Sequence, residues 1–227
     1  MPPAVVKAPT AGLWRVARGD NPLTVPLRPK PNEASGATAN RFDPINMDFG
    51  VLYFGSTLQA CFAETLARLR PSPAMLALVE EDWKANDFMA VGAVAADWRQ
   101  RRTAVHVSLS ADAIFVDVDS PVTHQFLRKE LADELIALGV EDIDVGTVRG
   151  KDRRLTRALS EWTYRQQGDE GPIYSGLRYE SRLGSQWECW AVFDDEAIDV
   201  VATEARSITL DMPELVEIAE LFELQLH

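Results

Sequence analysis

At 227 residues the chain suits one large domain, or one domain with appendages. Apolar residues make up 46% of it, enough for a sizeable core, yet no apolar run nears the roughly 18 residues of a membrane span. The formal charge of −12 disfavours a general nucleic-acid binder, and three histidines without a Cys/His cluster argue against a metal site of the structural zinc kind.

The N-terminal residues 1–12 are Pro- and Ala-rich and read as a flexible segment. Lys7 is followed by no apolar stretch of signal-peptide type, so secretion is not expected. Leu13–Val16 reads as a short strand carrying Arg15. Residues 21–38 are rich in Pro, Asn, Ser and Gly and form a long loop. Asp43-Pro44 and Asn46 supply turn chemistry. Gly50 then opens Val51–Phe54, a short apolar run that reads as a buried strand. Ser56 is placed to cap a helix, with Gln59 as the return partner of a capping box. Leu58, Phe62, Leu66 and Leu69 recur at helical spacing and predict its buried face. Glu64 points roughly 200° away from Phe62, at about 100° per residue.

A second helix is expected from Ser72-Pro73, with Met75, Leu76, Val79 and Trp83 on its face. Met89–Ala95 is a strand candidate interrupted by Gly92. Thr103–Leu109 alternates and is β-branched, so it reads as a strand, with His106 as a structural residue. Ile114–Val118 is the next strand. Asp117 and Asp119 at its end invite a metal reading, but nothing nearby supplies further oxygen ligands. A strand end followed by a Ser120-capped helix to about Ala137, stopped by Gly139, fits better. Asp142–Val148 reads as a turn or short strand. Lys151–Gln167 predicts a helix ended by Gly168, whose basic first half (Lys151, Arg153, Arg154, Arg157) is either a solvated face or a phosphate contact. Ile173–Tyr179 and Glu188–Phe193 look like paired strands. Ile198–Ala205 and Met212–Leu226 follow as a strand and an acidic amphipathic helix. Cys61 and Cys189 read as two buried thiols in a reducing cytosol, a disulfide being the alternative. These elements predict an α+β fold, a central mixed sheet with helices packed around it. There is no G-x-G-x-x-G, so a doubly wound dinucleotide fold is not expected.

Arg41-Phe42-Asp43-Pro44, then Leu52-Tyr53 with Ala60 and Glu64, and far downstream Gly176–Arg182 around Ser181, together resemble the RES domain family. That family is named for an arginine, a glutamate and a serine. The resemblance runs from about Leu13 to Phe193, making 13–193 the catalytic domain and 194–227 a strand and helix packed on it. It implies a fold similar to ADP-ribosyltransferase toxins, a cytoplasmic location, and a toxin that consumes NAD⁺ as substrate, with no cofactor. The reaction implied is cleavage of the nicotinamide–ribose bond by hydrolysis or phosphorolysis. Transfer of ADP-ribose to a protein, or an inactive interaction domain, are the alternatives.

The resemblance also assigns roles. Glu64 would stabilise an oxocarbenium-like ribose; without the resemblance it reads as an exposed pair with Arg68. Arg41 would grip the pyrophosphate, and Arg15 matches the family's opening strand as a second ligand contact. Tyr53 would stack on nicotinamide. Ser181, with no histidine beside it, would orient Glu64 or bind the amide rather than act as a nucleophile; Ser175 is the competing serine. The family usually has Gly where Asn40 stands; Asn is the best non-Gly residue for a positive φ, so the same turn is expected. It commonly has Pro where Glu180 stands, so that turn is less preset here. An antitoxin partner is implied, with residues 21–38 and the C-terminal helix as candidate contact surfaces. The net acidity favours a basic partner segment.

Overall fold

The computed structural model describes residues 1–19, 21–25, 40–46, 48–78, 91–169, 171–194 and 200–227. Its strands are β1 (Val5–Lys7), β2 (Leu13–Arg18), β3 (Gly50–Gly55), β4 (Ala93–Val94), β5 (Arg102–Leu109), β6 (Ile114–Asp117), β7 (Gln167–Gly168), β8 (Gly171–Pro172), β9 (Gly176–Glu180), β10 (Glu188–Asp194), β11 (Val200–Ser207) and β12 (Gln225–Leu226). Its helices are α1 (Leu58–Leu66), α2 (Pro73–Leu78), α3 (Ala96–Gln100), α4 (Pro121–Glu130), α5 (Ala132–Leu138), α6 (Val145–Arg149), α7 (Arg154–Tyr164) and α8 (Pro213–Leu221). Eight strands form one sheet in the order β1-β6-β9-β10-β3-β2-β5-β11. The β6–β9 pair is parallel and its neighbours run antiparallel, so the fold is α+β with a mixed sheet.

Strand alternation divides the core. In β3, Val51 and Tyr53 face helices α4–α7, while Leu52 and Phe54 turn to the other side. There they meet Leu13, Val105 and Val107 of β2 and β5, and Trp190 and Val192 of β10. The two halves of the sheet therefore share an inner layer. They join through one register pair, Trp14 with Gly55, where the sheet curls. On the far side of β2 and β5, α1 and α8 pack against Val16, Trp98 and Ala104.

Close approach at two glycines makes this possible. A Cβ on Gly55 would stand 2.9 Å from Ala60 Cβ, so glycine lets α1 start directly against the strand end. Gly176 has φ +151, and a Cβ there would meet the Ala191 carbonyl oxygen at 2.0 Å, so a side chain would push β10 off β9.

Several elements differ from expectation. Thr57, not Ser56, caps α1, accepting from Ala60 N at 3.2 Å. Ser56 instead donates to the Glu188 carboxylate and accepts from Trp190 Nε1 at 2.9 Å. Thr57→Ala should therefore cost about 1 kcal/mol, the usual worth of a cap. Ser56→Ala should cost about 1–3 kcal/mol, because the indole N–H of Trp190, itself 2% exposed, loses its acceptor. Urea melts of the two variants check that order.

Val5–Lys7 lies in the segment expected to be flexible, yet it pairs with Ile114–Val116. The single helix expected over 120–137 breaks at Leu131, which is buried with ψ 25 between α4 and α5. Ser120 makes no side-chain cap; Pro121 opens that helix. Residues 142–148 are neither turn nor strand but lead into α6, capped reciprocally by Asp144 and Thr147. Helix α7 ends before Gly168, which lies in β7. The C-terminal helix stops at Leu221, with Leu215, Ile218 and Ala219 buried, and the chain adds β12 beside β4. Most of the 21–38 loop, Val79, Trp83, and Met89 to Ala90 lie outside the described residues. Both cysteines are buried free thiols, and burial pushes Cys61 up to about 12. No helix among the described residues is long and apolar enough to cross a membrane.

Candidate active site

Ser181 follows β9 and begins the connection to β10. Its N–H donates to Trp187 O at 2.8 Å and its carbonyl accepts from Gly184 N at 3.3 Å. Its hydroxyl accepts from Leu183 N at 3.1 Å, which turns the hydroxyl proton the other way. That proton goes to Glu64 Oε1, 2.5 Å away and 117 residues distant in sequence. Glu64 stands on the exposed side of α1, opposite buried Phe62. No ion pair joins it to Arg68 among the described residues.

Ser175, the competing serine, sits in the sheet, its hydroxyl accepting from Ile114 N at 3.3 Å. Glu180 occupies the position before Ser181 and donates its N–H to Asp119 Oδ2 at 2.5 Å. A proline could not make that bond. Hydrogen bonding thus fixes this turn in place of a ring constraint.

Arg41 reaches toward the same region. Its Nη1 donates to Val148 O at 2.6 Å and Gly150 O at 3.1 Å, and its Nη2 to Arg149 O at 3.3 Å. Three of its five N–H groups are so engaged. Burial lowers its pKa; the charges of Tyr179 and Glu64 oppose that shift, and those of Arg153 and Arg182 add to it. An arginine remains cationic at neutral pH nonetheless. Arg41 thus lies within electrostatic reach of Glu64 and of two further arginines, in a protein of net charge −12.

The segment carrying Arg41 is clamped by α7. Thr156 Oγ1 donates to Arg41 O at 2.6 Å and Ser160 Oγ to Phe42 O at 2.7 Å. Arg157, buried, donates to Asp43 O at 3.0 Å and Pro44 O at 2.9 Å. Glu161 Oε1 accepts from Ile45 N at 2.6 Å. The expectation of a solvated face on α7 therefore fails at Arg157, while Arg154 does pair with Asp152 in solvent. On the inner side, Asp43 accepts from Asn40 N at 2.7 Å and from the Tyr53 hydroxyl at 2.9 Å. Asn40 does not take a positive φ, so the Gly-like conformation expected there is not needed.

Tyr53 therefore spends its hydroxyl on the loop, accepting also from Phe42 N at 2.9 Å, and its ring packs beside the helical core. Arg15 is buried, with Nε donating to Pro22 O at 2.7 Å and Nη1 to Tyr53 O at 3.0 Å. Those main-chain contacts brace β2, β3 and the loop that follows β2. Tyr179 and Cys189 lie under the site; burial holds both pKa values well above their ordinary ranges, and the Glu64 charge adds to each.

An ion-pair network ties these parts together. Arg149 bridges Asp119 Oδ1 at 2.8 Å and Glu180 Oε2 at 2.7 Å, and Arg178 bridges Asp117 at 3.3 Å and Glu188 at 2.8 Å. Asp117 and Asp119 are thus occupied by arginines. No group of acidic, His or Cys side chains suited to a metal occurs among the described residues. Because Arg149 is anchored, the 148–150 carbonyls are held where Arg41 needs them.

The ordered arginine, glutamate and serine, with a match to the RES domain over residues 12–212, decide the family. The chain belongs to the RES domain family. The match extends past Phe193 to residue 212 and takes in β11. No match is found among curated proteins. A solved chain with a similar fold comes from the crystal structure of the M. tuberculosis MbcT-MbcA toxin-antitoxin complex. The alignment has a TM-score of 0.51 at 11% identity and covers 96% of this chain and 90% of that one.

Sequence reasoning missed Arg149, Thr156, Ser160 and Glu161, and named Arg157 without its part in the clamp. The signal was available in α7. Thr156 and Ser160, and Arg157 and Glu161, recur four residues apart beside the apolar Leu155 and Leu159, a polar stripe of which Thr156, Arg157 and Ser160 are buried.

Proposed function

We propose that this RES domain cleaves the nicotinamide–ribose bond of NAD⁺ and serves as the toxin of a toxin–antitoxin pair. The observation that carries the reading is the 2.5 Å bond from Ser181 to Glu64, with Arg41 close enough to feel the Glu64 charge. Departure of nicotinamide leaves positive charge on the ribose. The Glu64 carboxylate, one oxygen held by Ser181, offers the other to the ribose. The serine orients the carboxylate and takes no covalent part. Arg41 meets the pyrophosphate with its remaining N–H groups, helped by Arg153 and Arg182. The Tyr53 ring orients nicotinamide, and Arg15 positions Tyr53 through its carbonyl.

The acceptor is water or phosphate. Exposure of Glu64 favours a second reading, transfer of ADP-ribose to a protein side chain that can reach the ribose. A toxin role agrees with the structural likeness to a chain of a toxin–antitoxin complex. The exposed Glu217 and Glu220 on α8 suit a basic antitoxin segment. A cytoplasmic location accords with this reading.

Chromatographic analysis of products formed from NAD⁺, with and without phosphate and with a protein mixture present, tests it. Free ADP-ribose regardless of phosphate marks hydrolysis, and a phosphate-dependent ADP-ribose phosphate marks phosphorolysis. Label fixed to protein marks transfer. None of these products would leave an interaction domain.

A further inference from the structure

We propose that the protein pairs with a second copy of itself along β11, in an antiparallel two-fold contact centred on Ala205. β11 is the last strand of the sheet: β5 pairs with one side of it, and no strand among the described residues pairs with the other. Edge strands present a row of N–H and C=O groups ready to pair with another chain. This edge has eight residues, against three in β1 at the opposite edge. It is open to solvent through most of its length, with Val201 57% exposed.

The occupant is named by the charges. Glu204 and Arg206 share one face and form an ion pair at 3.2 Å, with side chains 51% and 40% exposed, so either can exchange partners. The Arg206 guanidinium lies 4.5 Å from the ring centroid of Trp14 on β2, which fixes the face of the sheet on which the Glu204–Arg206 pair stands. With Ala205 opposite Ala205 of the second copy, Glu204 of each copy stands opposite Arg206 of the other. Centring the pair on Glu204 or Arg206 instead would place like charges directly opposite, which destabilises strand pairing. The pattern therefore selects one register as well as a self-complementary partner. The bulge between Ala202 and Glu204, where Thr203 bonds His106 Nδ1 at 2.8 Å, confines regular pairing to the strand's C-terminal half. A contact this short gives a dimer that dissociates on dilution.

Ala205→Cys in the full chain tests the geometry. Directly opposed antiparallel residues have Cα atoms about 4.5–5.5 Å apart, inside the roughly 4.4–6.8 Å range of a disulfide. Mild oxidation should convert Ala205→Cys to a covalent dimer, while Ser207→Cys, which would face Thr203, should stay largely monomeric. Sedimentation velocity supplies the independent arm. Glu204→Arg should abolish the concentration-dependent dimer, and Glu204→Arg with Arg206→Glu should restore it. Equal cross-linking of the two cysteine variants, or wild type that sediments as a monomer at every concentration, would overturn the proposal. So would a different protein captured on β11 while Ala205→Cys stays monomeric.

Discussion

Glu64→Gln should lower the rate of nicotinamide release about 10²–10³-fold, the usual loss when a preorganised electrostatic group is removed. KM for NAD⁺ should stay within about threefold, because the charge it stabilises exists only in the transition state. The amide oxygen can still accept from Ser181 Oγ, so the connection between α1 and the β9–β10 turn survives. Steady-state kinetics separate the two parameters. A raised KM with kcat unchanged would place Glu64 in binding alone.

Arg157→Met should destabilise the protein by about 2–4 kcal/mol, since it leaves two buried carbonyls, Asp43 O and Pro44 O, without a donor. Methionine keeps much of the aliphatic stem, so packing against α7 is little changed. The same substitution should raise KM for NAD⁺, because the segment it clamps also carries Arg41. Arg154→Met, one turn away and paired only with exposed Asp152, is the control and should change neither property measurably. Urea unfolding midpoints and KM values on both variants check this. Equal effects would contradict the clamp.

What could be read from the sequence follows from the range of the forces involved. Continuous apolar runs identified β3, β6 and β10, because each faces packed layers on both sides, and alternation identified β5. The burial of Phe62 and the exposure of Glu64 followed from helical period alone. That Ser181 reaches Glu64 depends on β9, β10 and α1 meeting across 117 residues, and no local pattern encodes such a contact. It entered through the resemblance, which carries fold information that the residue types do not.

The errors have local causes. Ser56 and Thr57 are adjacent and both suit a cap; the choice fell to Thr57 because β3 continues to Gly55 and Ser56 is drawn to Glu188 and Trp190 across the sheet. The five residues of α6 are too few to show a period, although Asp144 and Thr147 at the capping spacing mark its start. Basic residues at the start of α7 looked alike in sequence. Only the buried carbonyls of the 41–45 segment distinguish Arg157 from Arg154, and those acceptors are backbone atoms that every residue carries. The partners of Arg15 are hidden in the sequence for the same reason, being the carbonyls of Pro22 and Tyr53.

The most direct test is a proton NMR time course of NAD⁺ with the purified wild-type protein. The account predicts that the nicotinamide ring signals of NAD⁺ are replaced, one for one, by those of free nicotinamide. NAD⁺ signals that persist unchanged, under conditions where the protein is folded and both phosphate and a protein acceptor are present, would contradict it.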